Sequence, residues 1–411
     1  MNRSPDNAAL ESSAAKLKPR GSSQDGLRQY NERVILQAVR LHGPLPSAEI
    51  ARLTGLTAQS ISQITKRLLD EELLRKETPQ RGKVGQPSVP LALNPDGALA
   101  IGIKIGRRSL DVLLVDFTGQ VRGRWELQYA LAKPAQVLAH IAASLEQIRA
   151  SLPAALWPRI QGIGLAAPLN MGGWQELLGQ DPSVAAQWRA LALDEEVSKL
   201  TGLPVQSIKD TSAACVAELV AGRGRDVRNF VYVFVDTFIG GSLVLDSHLH
   251  LGRNGNAGAM GSLPLGQVTR GAQTQLLNVA SLYQLENRYV AAGLDGTATS
   301  DGRSMSAGYW PHTSLWLDEC APAIALALLN AACLLDLEAV IVDGCFCREL
   351  QQALLQAIQK AMHKMNWEGV TPPDLLAGAI GPDARALGGA LLPLYANFAP
   401  DRDLFLKLNE G

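Results

Sequence analysis

A chain of 411 residues exceeds one ordinary hydrophobic core, so two or three domains are expected. Its apolar share of 47% supports full packing, and no leader and no apolar run long enough to span a bilayer are read from the sequence, which argues against secreted and membrane-embedded classes. The net charge of −1 conceals an asymmetry: residues 1–90 hold 14 Lys and Arg against 9 Asp and Glu, and the remainder holds 24 against 30.

A basic front on an acidic body suits a DNA-binding head on a ligand-binding body; ordinary surface variation is the alternative reading. Five cysteines, odd in number and mostly in apolar surroundings, suit a reducing cytoplasm.

Residues 1–25 are rich in Ser, Asn, Ala and Lys and read as a disordered tail. Residues 26–80 form the first unit. Val34, Ile35, Leu36 and Val39 lie on an opening helix. Ser47 can cap a short second helix carrying Ile50, Ala51 and Leu53, which Gly55 stops by tolerating a left-handed turn. Thr57 then caps a third helix whose apolar positions, Ile61, Ile64 and Leu68, fall at steps of three and four. Its other face carries Gln59, Ser60, Ser62, Gln63, Lys66 and Arg67, with no acid before Asp70. Two helices joined by a short turn, the second polar and cationic on one face, make the helix-turn-helix layout. A plain amphipathic hairpin is the competing reading. The strand expected at Leu73–Glu77 and the apolar run Val89–Leu93 add a wing.

Such a unit implies double-stranded DNA as partner. Ser47, Thr57, Ala58, Gln59, Ser60 and Gln63 are the candidates for base edges and backbone, and Lys66 and Arg67 for phosphate. The Gly/Pro segment from Pro79 to Pro87 cannot be helical; it is either a wing tip that brings Arg81 and Lys83 to a minor groove or a plain linker.

From Leu99 onward strands and helices alternate, which defines an α/β body. Strands are expected at Leu99–Gly106, Leu110–Asp116, Val121–Gln128, Ile160–Ala167 and Val205–Ile208, with helices at Ala135–Arg149, Asp194–Thr201 and Thr211–Gly222. A second set follows: strands at Phe230–Asp236, Ile239–Asp246 and Ala339–Asp343, and helices at Val279–Ala292, Ser314–Cys333, Arg348–Met365 and Ala384–Ala396. Each half opens with strand, Gly turn, strand. That repetition implies an internal duplication with a cleft between the halves.

Seven short stretches in order, Arg81–Pro87, Ile101–Gly106, Gly162–Pro168, Lys209–Cys215, Asp236–Ser242, Gly252–Gly261 and Ala384–Pro393, together resemble the ROK family of repressors and sugar kinases. The resemblance covers about residues 27–396 in the regulator layout. It implies an actin-like, ribonuclease H-like two-lobed ATPase fold behind a winged head. Residues 81–97 are then wing and linker, 98–212 the first lobe, 213–380 the second, and 381–411 a C-terminal helix returning to the first. In the family's kinases the first turn reads Asp-x-Gly-Gly-Thr; here Lys104, Gly106, Arg107 and Arg108 stand in its place. The second phosphate turn reads Asp236, Thr237, Phe238, Ile239, Gly240, Gly241 and Ser242, with a carboxylate and a ring where bare backbone belongs. ATP binding is therefore not expected, since a buried Asp repels triphosphate by several kcal/mol.

Asp210 matches the kinase base; without phosphate positioning it is either an acceptor for a ligand hydroxyl or a helix cap. The family's sugar-binding Asn, Asn, Glu and His are Lys209, Ser212, Ala259 and Ser262 here. Its cysteine-rich zinc motif has no counterpart, so no metal and no cofactor are expected, and Cys345 with Cys347 reads as a buried pair of thiols. Asp210, Asn254, Asn256 and Trp188 remain to hold a sugar or sugar-derived effector, Trp188 offering its face to a ring. The resemblance implies a cytoplasmic repressor of carbohydrate-related genes, a homodimer or homotetramer without catalysis or membrane contact. A sugar kinase with a fused head, and a regulator controlled by a partner protein, are the alternatives.

Overall fold

The computed structural model describes residues 24–79, 89–171, 173, 181–266 and 274–400. The tail to residue 23, and Arg81 and Lys83 of the expected wing tip, lie outside them.

The head is built from α1 (Gln24–His42), α2 (Ser47–Thr54), α3 (Ala58–Asp70) and the antiparallel pair β1 (Leu74–Lys76) and β2 (Leu91–Leu93). Ile35, Ile50, Ile61, Leu68 and Leu74 close its core. Gly55 takes φ +68° and donates its N–H to the Ala51 carbonyl, which ends α2. Thr57 caps α3, its hydroxyl accepting from the Ser60 N–H at 3.2 Å. Ser47 is not the cap expected of it. Pro46 precedes α2 in extended backbone and no side chain caps that helix; Ser47 is its first residue.

The first lobe contains β3 (Leu99–Ile105), β4 (Ser109–Asp116), β5 (Val121–Gln128), α4 (Pro134–Ser151), β6 (Ile160–Ala167), α5 (Pro182–Ala190), α6 (Leu193–Thr201) and β7 (Val205–Lys209), and α7 (Asp210–Ala221) follows with its buried side chains among those of the strands Phe230–Val235 and Ala339–Gly344. Its sheet runs β5-β4-β3-β6-β7, the first three antiparallel and the last pairings parallel.

The second lobe has β8 (Phe230–Val235), β9 (Gly240–Leu245), β10 (His248–His250), α8 (Leu277–Ala280), α9 (Leu282–Ala291), α10 (Trp310–Leu335), β11 (Ala339–Gly344), α11 (Arg348–Met362) and β12 (Asp374–Ala377). Its sheet, β10-β9-β8-β11-β12, repeats the strand order and directions of the first. The duplication is thus present in the topology. β8 and β11 are buried along their whole length, as strands covered on both faces must be.

The last helix, α12 (Ala384–Phe398), crosses back to lie on β3, β6 and α7. Glycine makes this approach feasible. A Cβ at Gly164 would stand 1.7 Å from the Gly389 carbonyl oxygen, and one at Gly388 1.7 Å from that of Ala213. The loop leading into α12 is gripped by two buried carboxylates: Glu218 accepts from the Ala379 and Ile380 N–H groups at 2.6 and 2.8 Å, and Asp343 accepts from that of Gly381 at 2.7 Å. Burial pushes both carboxyls above their ordinary range.

Two expectations need correction, and three elements were not expected at all. The helix read as Val279–Ala292 breaks at Ser281, whose hydroxyl bonds the Leu277 carbonyl and receives the Ile239 N–H at 3.0 Å. The short β10 and β12 and the helix α5 have too little periodicity or length to be read locally. And α10, at 26 residues, is by length and composition long and apolar enough to cross a membrane; 50% of its most apolar stretch is buried inside the body, where the helix packs on α8, α9 and α11.

Candidate functional site

The outward side of α3 is the first site. Ile61, Ile64 and Leu68 bury one face, which leaves Gln59, Ser62, Gln63 and Lys66 exposed on the other. Ala58 is exposed at the helix start, and Ser60 is half-buried against Thr57. Ser47, Ser62, Lys66 and Lys76 line a concavity between α2, α3 and the wing, so groups with hydroxyls and cations converge there. Arg67 departs from this picture. It lies toward α1 and pairs with Glu32 at 2.6 Å, so it holds the two helices together and is not a free phosphate contact.

The head is fastened to the body. Arg40 of α1 donates to the Phe117 carbonyl at 2.9 Å and stacks over the rings of Phe117 and Tyr395, at 5.0 and 5.4 Å. Arg159 donates to the carbonyls of Glu71 and Gly97 and pairs with Glu72. Arg225 reaches the Leu41 carbonyl at 3.3 Å.

The second site is a cavity of about 460 Å³ at the facing ends of the two sheets. It is lined by the β3–β4 turn, the β7–α7 junction, the β8–β9 turn and the start of α12. Arg385 of α12, 3% exposed, is its charged centre. It pairs with Asp236 at 2.5 Å, stands 3.8 Å from Asp210, donates to Cys345 Sγ at 3.1 Å and lies 4.9 Å over the Phe234 ring. Its Nε–H has no acceptor among the described residues. Burial pushes the Asp236 carboxyl up, but Arg385, Lys104 and the Thr237 N–H outweigh burial and hold it below its ordinary range.

Lys104, at the position of a metal-organising carboxylate, is turned to Ser109 and Asp111, the latter at 2.8 Å. Arg107 donates to the carbonyls of Gly173 and Asn170 and stacks 4.9 Å over Phe238, which joins the two phosphate turns across the cleft. Arg108 pairs with Glu286 of α9 and sits over Tyr283, a second bridge between lobes. The Ile239 N–H already serves Ser281. What fills the two phosphate turns is therefore side-chain bulk and donors already engaged. The repulsion expected from Asp236 is weakened, since Arg385 offsets its charge.

Of the expected effector residues, Asp210 and Asn256 line the cavity and the other two do not. Asp210 opens α7 with one oxygen accepting from the next N–H, that of Thr211, at 2.8 Å, and its other oxygen faces Arg385. Asn254 is exposed on a glycine-rich turn outside the cavity. Trp188 is 8% exposed in the first lobe's core; its indole N–H donates to the Ala132 carbonyl at 2.7 Å, so no ring face is available to a sugar.

Sequence reasoning missed Arg385 as a site residue. It also missed Lys209 as a cavity cation and the head anchor formed by Arg40 and Tyr395. Cys345 and Cys347 are half-buried and do not pair: Cys345 meets Arg385, and burial pushes its thiol up to about 12, while Cys347 caps α11. Among the described residues no three His, Cys, Asp or Glu gather as metal ligands.

A winged helix-turn-helix on a two-sheet α/β body of repeated topology defines a class, the DNA-binding transcriptional regulators with a kinase-like body. The chain belongs to the ROK family, whose model matches residues 100–395, and the MarR family model matches residues 29–83 of the head. It is 21% identical to the xylose repressor of Bacillus subtilis, over 59% of this chain and 62% of that protein. It is 24% identical to the DNA-binding transcriptional repressor Mlc of Escherichia coli, over 55% of each. The matched region thus spans little more than half the length of these repressors. A solved ROK family transcriptional regulator, a homolog of the E. coli protein, superposes with a TM-score of 0.66 at 22% identity, over 90% of this chain and 98% of that one. At that identity the likeness shows the fold.

Proposed function

We propose that this protein is a repressor that reads a double-stranded operator with α3 and releases it when a sugar-derived effector enters the interlobe cavity. Two copies would act on an inverted repeat, since one recognition helix reads only a few base pairs. The observation that carries this reading is α12. Its first turn places Arg385 in the cavity, and Tyr395, ten residues on, lies under Arg40 of the head. Ten residues of helix span about 15 Å. A ligand that pulls Asp210 or Asp236 away from Arg385 shifts the start of a rod whose far end supports α1. The two carboxylates under the loop before α12 give that shift a pivot.

Binding rather than turnover follows from the blocked phosphate turns, because phosphoryl transfer depends on positioning the nucleotide. The test is fluorescence anisotropy on genomic fragments that the full chain selects, with and without a sugar panel. Release of a specific fragment by one sugar class supports the reading. Specific binding that no sugar alters would favour control by a partner protein. Phosphorylation of a hexose from ATP, abolished in Asp210→Asn, would favour the kinase.

A further inference from the structure

We propose that the interlobe cavity is built for a sugar acid, a polyol carrying one carboxylate, which Lys209 receives. This rests on the cavity being the effector site and names the class of effector.

Lys209 ends β7 and is 7% exposed. Its ammonium has three protons. One goes to the Ala257 carbonyl at 3.1 Å and one to Asn256 Oδ1 at 3.4 Å, both neutral acceptors. Among the described residues no carboxylate lies within 4.0 Å of it, and Lys209 lines the interlobe cavity as well as a smaller one beside it. The neighbouring Asp210 is turned to Thr211 and Arg385.

Arg107, half-buried, likewise donates only to carbonyls, those of Gly173 and Asn170, and no carboxylate pairs with it among the described residues. Among the described residues the lining thus holds three cations, Arg107, Lys209 and Arg385, against two carboxylates, Asp210 and Asp236. Burying a cation without an anion is costly, and an anion supplied by a ligand removes that cost. Among these residues the excess is a single charge. A phosphate ester near its second ionisation brings up to two charges before Asp210 and Asp236; a carboxylate brings one.

The rest of the lining suits hydroxyls. Asp210, Asn170, Asn256 and Ser262 offer acceptors and donors around the same space. Asp210 and Lys209 are adjacent in the chain. One ligand can therefore place a hydroxyl on the first and its carboxylate on the second.

The experiment uses the full-length chain in calorimetric titrations at pH 7 with D-glucuronate, D-galacturonate and D-gluconate. The controls are D-glucose, D-galactose and D-glucose 6-phosphate. At least one acid is expected to bind ten times more tightly than its neutral parent. Lys209→Met should erase that ratio and Lys209→Arg should keep part of it, with unfolding curves confirming that both variants fold. A neutral parent binding as tightly as its acid, or the phosphate ester binding more tightly than every acid, overturns the sugar-acid inference and leaves the effector reading standing. Silence across the whole panel overturns both.

Discussion

Replacing Lys209 by Met should stabilise the ligand-free protein. Burial, only partly countered by Asp210, pushes the Lys209 ammonium down from 10.5 to about 8. That displacement corresponds to about 3 kcal/mol of cost for holding the charge in the folded state. Methionine fills a similar volume without the charge, but it strands the Ala257 carbonyl, which costs about 1–3 kcal/mol. The net expectation at pH 7 is a gain of roughly 0–2 kcal/mol. The pH dependence is the sharper signature. Between pH 8 and 10.5 the folded lysine has lost its proton while the unfolded one retains it, so wild-type stability rises with pH across that window. The gap between variant and wild type is therefore widest below pH 8 and narrows toward pH 10.5. Thermal unfolding from pH 7 to 10 measures it. A variant that is less stable at pH 7, by an amount independent of pH, would refute the reasoning.

Other consequences are separable. Gly388→Ala drives a methyl into the Ala213 carbonyl and should destabilise by about 2–4 kcal/mol, read by thermal unfolding; wild-type stability would contradict the packing of α12. Gln63→Ala should lower affinity for the selected operator by about 1–3 kcal/mol, whereas Lys66→Ala should weaken all sequences alike and flatten the salt dependence. Arg40→Ala removes the stack on Tyr395 and Phe117. Effector affinity should change little while the effector's influence on DNA binding falls; an undiminished response would dismiss α12 as the link.

Local pattern made the head legible. Ile61, Ile64 and Leu68 recur at helical spacing, Thr57 and Gly55 punctuate the helices, and all of these act within a few residues. The long buried strands were legible for the same reason. The cavity was legible only in part, because its chemistry is assembled from distant segments. Arg385 and Asp236 are 149 positions apart, and nothing near either one announces the pair. Trp188 was misread because an aromatic ring in an α/β body fits core and ligand equally well until its N–H partner, Ala132, is seen. Asn254 and Asn256 differ by two residues on a turn with three left-handed glycines, and only the backbone decides which one lines the cavity.

The central claim is that α3 reads a specific duplex and that the cavity governs its grip. Selection of genomic fragments on the full chain, followed by titration of the tightest fragment with and without a sugar acid, tests it most directly. The account predicts one protected inverted repeat, sensitivity to Gln63→Ala, and release as the sugar acid saturates the cavity. Equal affinity for every fragment, together with tight binding of MgATP, would contradict it.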